Sequence, residues 1–230
     1  VKTIGLLGGM SWESTVSYYQ AINRAVAKTL GGLHSAKLLI NSVNFAEVEA
    51  LQHAGRWAEA GALLADAAAR LEVAGADLIV LCTNTMHRVA DQIEARVRIP
   101  LLHIADPTAE AIRSRGFATV GLLGTAFTME QEFYRARLER FGLTVRVPDA
   151  PARRLVHEVI YSELCRGIAS ESSREDFRKV VDELAAKGAE AVILGCTEIG
   201  LLLRPSDVAV PLFDTTDLHA RAAVALALGT

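Results

Sequence analysis

Short, wholly apolar runs rich in β-branched residues alternate along the chain with longer segments of helical period. "TIGLLGG" precedes Trp12 to Leu30, "LLINSV" precedes Trp57 to Ala74, and "ADLIVLC" precedes Met86 to Arg96. The short runs predict strands and the longer segments helices. Regular alternation of the two predicts an α/β fold with a mainly parallel sheet. Because the strand runs are apolar throughout, both faces of that sheet are expected to be covered.

The pattern then restarts. "TIGLLGG" from Thr3 is answered by "TVGLLGT" from Thr119, "GADLIVL" from Gly75 by "GAEAVIL" from Gly188, and "IPLLHIAD" from Ile99 by "VPLFDTTD" from Val210. The separation shrinks slowly along the chain, from 116 residues (119 − 3) through 113 (188 − 75) to 111 (210 − 99). Three matches in order, at a spacing far beyond solenoid periods, predict two related α/β lobes with mainly parallel sheets flanked by helices. The first lobe is expected over residues 1–103, joined by a C-terminal segment 210–230 whose helix runs from Leu218 to Leu228, and the second over 104–209. Ligands in open parallel sheets gather beyond the carboxyl ends of the strands, so the expected active site is a cleft between the two lobes.

At 230 residues, 51% hydrophobic and 22% charged, the chain has material for a proper core. A formal net charge of −3 and the absence of a basic block give no footprint for a nucleic acid. No segment reaches the ~18 uninterrupted apolar residues of a membrane span. Cys82, Cys165 and Cys196 are an odd count at long spacings with no CxxC pair and no signal sequence, so free thiols and a cytoplasmic setting are expected. Val1 is read as standing at the initiator position.

Candidate chemistry lies just past the strand ends. Carrying the 113-residue separation (188 − 75) forward sets Cys82 opposite Gly195, Thr83 opposite Cys196, Asn84 opposite Thr197 and Thr85 opposite Glu198. A one-residue slip turns a strand side chain to the other face, so Thr83 holds the place equivalent to Cys196 and Cys82 does not. Cys82 reads instead as a small buried hydrophobe. Two groups on opposite sides of a small ligand suit inversion of a carbon centre, one taking a proton and the other returning one. A thiolate suits the task because a helix N-terminus or an electropositive pocket can lower its pKa. A threonine hydroxyl needs a neighbour to activate it as a base, but it can donate a proton or hold a water.

With "GLLGGM", "CTNTMH", "GLLGT...TME" and "GCTEIGLLL" in order over nearly the whole length, the chain resembles the aspartate/glutamate racemases, which work without a cofactor. The resemblance implies two pseudo-symmetric lobes and a cysteine from each acting at the substrate's α-carbon. It carries Cys196 over as one of that pair, and aligns the other with Thr83, because the family's usual "PCNTAH" is written here "CTNTMH". This Thr/Cys arrangement resembles the branch specific for L-aspartate and L-glutamate. By that analogy Cys196 removes the α-proton of an L-amino acid, and Thr83 or a water it positions delivers one to the opposite face. A homodimer is also expected by analogy.

The rest of the expected site is argued physically. Asn84 and Thr85 follow a strand and start a helix, where N–H groups can hold the substrate carboxylate, and Thr197 is assigned the same task. Such donors also stabilise the charge that develops as the carbanion forms. Met10, after Gly8 and Gly9, closes the first strand, and Thr125 and Thr128 occupy the matching turn of the second lobe. Glu198 is open to three readings: holding the substrate ammonium, orienting the thiol, or favouring a helix N-terminus. Where acidic-substrate members of the resembled family carry basic residues, this chain has Val48 and Cys165. His87 could brace the Thr83 turn or be an ordinary core histidine. No His has a partner at HExxH-like spacing, so no metal is expected. A single-cysteine lyase or cis–trans isomerase of the same fold, and a non-catalytic amino-acid binder, remain the alternatives.

Overall fold

The computed structural model describes residues 1–230, which form two compact units, 1–104 with 219–230 and 105–218. In the first unit the order is β1 (Ile4–Gly8), α1 (Trp12–Leu30), β2 (Leu38–Ser42), α2 (Phe45–His53), α3 (Trp57–Val73), β3 (Leu78–Leu81), a 3-10 helix (Thr85–Val89), α4 (Ala90–Arg96) and β4 (Leu101–Leu102). The strands are all parallel in the order β2-β1-β3-β4.

The second unit runs α5 (Ala105–Ser114), β5 (Thr119–Gly124), α6 (Ala126–Glu130), α7 (Glu132–Glu139), β6 (Thr144–Arg146), α8 (Ala150–Ser162), α9 (Glu171–Ala186), β7 (Ala191–Gly195), α10 (Ile199–Leu202) and β8 (Leu212–Asp214). Its sheet, β6-β5-β7-β8, is again all parallel and repeats the order of the first. A final helix, α11 (Thr215–Leu228), starts within the second unit and supplies residues 219–228 to the first. Residues 210–218, which the repeat places with the first lobe, therefore fall in the second unit. The cause is β8, which hydrogen-bonds β7 through Val192, Ile193 and Leu194. None of the helices is long and apolar enough to cross a membrane.

Alternate residues of each central strand enter different cores, as the two-residue period of a strand requires. Ile4, Leu6, Leu78, Val80 and Cys82 pack with Tyr18, Ile22 and Val26 of α1 and with Ala220, Ala223 and Val224 of α11. Leu7, Ile79 and Leu81 pack on the other face with Val48, Leu64, Ala68, Met86 and Ile93. Edge strand β2 departs from full burial: Ile40 is exposed and Leu38 and Leu39 are only part-covered. In the second unit Val192 and Leu194 join Val156, Ile160, Phe177, Val181 and Leu184. Each fully buried Leu or Ile contributes roughly 1.5–3 kcal/mol.

Local signals fix the element ends. Ser11, Asn44, Thr125, Asp149 and Ser170 cap helices by accepting a backbone N–H. Gly9 closes β1 at φ +95, where a Cβ would lie 2.2 Å from the Val43 carbonyl oxygen.

Beneath α1 and α11 lies a buried polar cluster. The Tyr18 hydroxyl is 2.8 Å from His219 Nδ1, and His219 Nε2 is 2.8 Å from the Leu102 carbonyl. The carbonyl only accepts, so Nε2 carries the proton and Nδ1 accepts from Tyr18. Burial first, then the neighbouring His87, pushes the His219 pKa down to about 3, although the Leu102 contact opposes the shift.

Two outcomes follow. Gly9→Ala is expected to cost roughly 2 kcal/mol or more in chemical denaturation, since strain and clash add. Gly55→Ala, at φ +69 with nothing within 4 Å of the new Cβ, should cost about 1–2 kcal/mol. Acidification should also destabilise the chain through His219. The unfolded ring, at about pH 6.5, takes up a proton that the folded ring refuses, so this contribution is intact above that pH and is lost on the way down to about pH 3. The slope from one such group approaches 1.4 kcal/mol per pH unit, and His219→Gln should flatten the measured pH dependence over that window.

Candidate active site

The two strand-end turns that the repeat equates are built differently. In the first unit Cys82 N–H donates to the Leu7 carbonyl at 2.9 Å, which carries the ladder one residue past β3. Thr83 N–H then turns back to the Leu81 carbonyl at 2.8 Å, a three-residue turn centred on Cys82. Cys82 keeps the parity of Leu78 and Val80, has no exposed surface, and points its thiol at the Val80 carbonyl, 3.6 Å away. Burial pushes that thiol well above the usual cysteine range. It is a core residue, as its parity requires. Thr83 follows the opposite parity and is 7% exposed.

Asn84 and Thr85 are buried at the start of the next helix, which differs from expectation in kind. It is a five-residue 3-10 helix in which Asn84 makes no side-chain cap, followed by the seven-residue α4. Met86 tucks into the core, where the Gln52 amide meets its sulfur at 2.9 Å. So short a helix brings little macrodipole, and anion binding here would have to rest on individual N–H groups. Met10, expected beside the ligand, packs its side chain into the same core at 4% exposure. Gly9 N–H donates to Thr15 Oγ1 at 2.8 Å, so part of the first turn is already committed to α1.

In the second unit Cys196 continues the parity of Val192 and Leu194 and is 9% exposed. Its thiol donates to Glu198 Oε2 at 3.0 Å, and Thr197 Oγ1 donates to the same oxygen at 2.6 Å. Cys165, in the 3-10 turn after α8, places its sulfur 4.0 Å from Glu198 Oε1. The Glu198 carboxylate, only 2% exposed, thus gathers two thiols and a hydroxyl.

This arrangement corrects two expectations. The Cys196 pKa is raised, not lowered: burial acts first, then the negative charge of Glu198, then Cys165 and the thiol's own bond to Glu198. The four-residue α10 is too short to offset this. Thr197, expected to donate to a substrate carboxylate, directs its one hydroxyl proton to Glu198.

Thr125 and Thr128 also have partners within the protein. Thr125 caps α6 by accepting from Thr128 N–H at 3.3 Å, and the two hydroxyl oxygens are 3.3 Å apart. Thr128 is fully buried, with its methyl and Cβ against Gly124 and near Gly195, where any added Cβ would collide. It shapes the backbone that leads into Cys196. His157 Nδ1 accepts from Ala126 N–H at 3.1 Å and fixes the same turn from α8.

Sequence reasoning left three buried histidines without a shared role. His87, His103 and His219 come together in the first unit, the His87 ring lying 4.4 Å from that of His103 and 5.9 Å from that of His219. Their positions follow no motif spacing, and the only local signal was the four-residue step from Thr83 to His87, which on a helical turn faces one residue toward the other. Both nitrogens of His87 and of His219 are engaged by the protein itself, which leaves them no lone pair for a metal.

The family model described as Asp/Glu/Hydantoin racemase matches residues 7–223. Glutamate racemase of Streptococcus pyogenes is 29% identical over 127 residues, which are 54% of this chain and 46% of that protein. The chain spans about half the length of the curated relatives it matches. Among solved structures, a Yersinia pestis protein provisionally described as an Asp/Glu racemase is 55% identical with a TM-score of 0.91, over 99% of this chain and 100% of that one. An aspartate racemase homologue from Pyrococcus horikoshii is 36% identical with a TM-score of 0.86, over the same shares. Glutamate racemase of Francisella tularensis, in complex with D-glutamate, shares the fold at 14% identity and a TM-score of 0.69, over 99% of this chain and 81% of that one. Racemases are isomerases. With the match running unbroken through the Thr83 turn and the Cys196 turn alike, the chain belongs to the Asp/Glu/Hydantoin racemase family.

Proposed function

We propose that the protein racemises an amino acid without a cofactor, that aspartate and glutamate are its substrates, and that Cys196 is its base toward the L-enantiomer. One observation carries the assignment of the base: Cys196 Sγ donates to Glu198 Oε2 at 3.0 Å inside a buried turn at the end of a central strand. A thiol whose pKa burial and a nearby carboxylate hold high does not ionise into the medium by itself. It can ionise by passing its proton along the bond it already makes, which leaves the net charge of the buried pair unchanged.

The steps then balance as follows. The Cys196 proton moves to Glu198, giving a thiolate and a neutral carboxylic acid. The thiolate takes the α-proton of the L-amino acid, and the electron pair left on carbon delocalises into the substrate carboxylate. Backbone N–H groups at the Asn84–Thr85 and Thr197–Glu198 turns would stabilise that charge. Thr83, the register equivalent of Cys196, supplies the proton to the opposite face, either from its hydroxyl or through a water it holds. Solvent reprotonates Thr83 and removes the extra proton from the Cys196–Glu198 pair. A substrate ammonium near Glu198 would further favour the thiolate, since opposite charge lowers a thiol pKa.

The acidic side chain comes from the names of the relatives, not from a basic residue in this chain. Val48 is fully buried in the core, and Cys165 points toward Glu198. The Thr/Cys pairing supports faster turnover from the L side, because a threonine hydroxyl is too weak an acid to be present as the alkoxide that proton abstraction would need. The ratio of enantiomers at equilibrium is unaffected.

Proton NMR of L-aspartate or L-glutamate incubated with the protein in deuterated water tests this reading. Deuterium should enter the α-position and the D-enantiomer should accumulate. Release of carbon dioxide, a geometric isomer, or binding without exchange would each replace racemisation with another activity. Cys196→Ser should reduce exchange from L-substrate by about 10³-fold, whereas Cys82→Ala should retain most of it. Glu198→Gln, which keeps the shape but cannot take the thiol proton, should lower kcat by about 10²-fold and KM much less.

A further inference from the structure

We infer that His87 is a positioning residue for the proton-delivering side of this reaction, acting through the Thr83 peptide; the inference rests on the racemase reading above. His87 Nε2 accepts from the Ile104 N–H at 3.2 Å, and Nδ1 lies 2.8 Å from the Thr83 carbonyl oxygen. A backbone N–H can only donate and a carbonyl can only accept. The ring is therefore neutral, with its one proton on Nδ1, and it holds Thr83 O in a fixed direction.

The same turn is held one peptide earlier. Ser14 Oγ, near the start of α1, lies 3.3 Å from the Cys82 carbonyl and 3.0 Å from that of Ser11, and shares its one proton between them. Thr83 N–H is bound to Leu81 O at 2.8 Å. The peptide after Thr83 is thus held chiefly by His87, and the one before it more weakly by Ser14. A threonine hydroxyl sits one torsion from the backbone, and that torsion is stiff, so fixing these peptides fixes where Oγ1 points. For a group that must offer a proton along one line, this is the lever that matters, since a displacement of about 1 Å costs on the order of 10²-fold in rate.

His87 is itself braced by two other imidazole rings. His103, just after β4, packs a tilted ring against it, and His219 of α11 approaches edge-on, held neutral between Tyr18 of α1 and the Leu102 carbonyl. The second unit has no counterpart. The position 113 residues on (87 + 113) is Gly200, where an added Cβ would lie 2.7 Å from Asp214 Oδ2, and the Cys196 carbonyl accepts instead from the backbone N–H of Ile199 at 3.1 Å. The thiol side relies on its own neighbour, Glu198, and only the hydroxyl side is steered by a histidine.

Two substitutions separate steering from mere support. His87→Asn places an amide nitrogen where Nδ1 was and keeps a donor for Thr83 O. His87→Gln places its amide near Nε2 and loses that donor. With L-aspartate in deuterated water, two quantities are read on each protein: deuterium in the recovered L-substrate, which reports the Cys196 side, and D-aspartate, which needs delivery from the Thr83 side.

His87→Gln should lower D-product about tenfold or more relative to L-deuteration, and His87→Asn should bring the ratio back toward that of the unaltered protein. A ratio unchanged in His87→Gln, or depressed equally in both variants, overturns the inference while leaving the racemase reading intact. An unaltered protein that neither exchanges nor racemises overturns both. If the glutamine variant does not fold, nitrogen-15 NMR of the unaltered protein decides: a proton on Nδ1 of His87 supports the inference, and one on Nε2 ends it.

Discussion

The two-residue period of β3 and β7, carried one or two residues beyond their last ladder bonds, is the constraint on which the candidate site depends. Leu78, Val80 and Cys82 share one face, and Ile79, Leu81 and Thr83 the other; Val192, Leu194 and Cys196 keep the parity of the second set. Because each side of the sheet is covered by helices, neither strand can slip by one residue without driving its apolar set out of its core. That rigidity decides which of two adjacent residues, Cys82 or Thr83, is available for chemistry. It also removes the more nucleophilic side chain from contention, since Cys82 is sealed among Tyr18, Ile22 and Val224.

Equivalent places in the repeat have acquired opposite electrostatic characters. Around Cys196 a buried carboxylate collects the protons of two thiols and a hydroxyl, an arrangement that stores a base next to an acid. Around Thr83 the polar groups are neutral and their protons are assigned one by one through His87, His219 and Tyr18. A base benefits from a nearby proton acceptor. A weak acid such as a hydroxyl benefits more from direction than from charge, because its proton leaves only when the acceptor is aligned.

Much of the fold was readable before any coordinates because its causes are local or repetitive. Apolar runs of four to six residues mark β1, β3, β5 and β7, and the shared order of the two sheets explains why the halves resemble one another. The allocation of residues 210–218 was not readable, because β8 is three residues long and its partner is decided by hydrogen bonds to Val192, Ile193 and Leu194. The register also set Thr83 against Cys196 without indicating the state of the thiol. That state depends on the Glu198 rotamer and on how deeply the turn is buried, neither of which is a property of sequence spacing. The hydroxyl partners of Thr197 and Thr128 were not readable for a related reason: they are set by the rotamers of neighbouring side chains, Glu198 and Thr125. The histidine cluster joins residues from the segment after β4, from α11 and from the 3-10 helix that follows β3, and no short pattern could have connected them.

Helix α11 has a consequence for how the chain matures. Residues 219–228 furnish Ala220, Ala223, Val224 and Ala227 to the core of the first unit, and the Ala227 carbonyl receives the Lys2 N–H at 2.9 Å. During synthesis the opening hundred residues therefore emerge with one side of their sheet covered by α1 alone, and the burial of Ile4, Leu6, Leu78 and Val80 is completed when the distal helix arrives. Completion of the first unit thus waits for residues 219–228, and intermediates lacking them would present part of this apolar face.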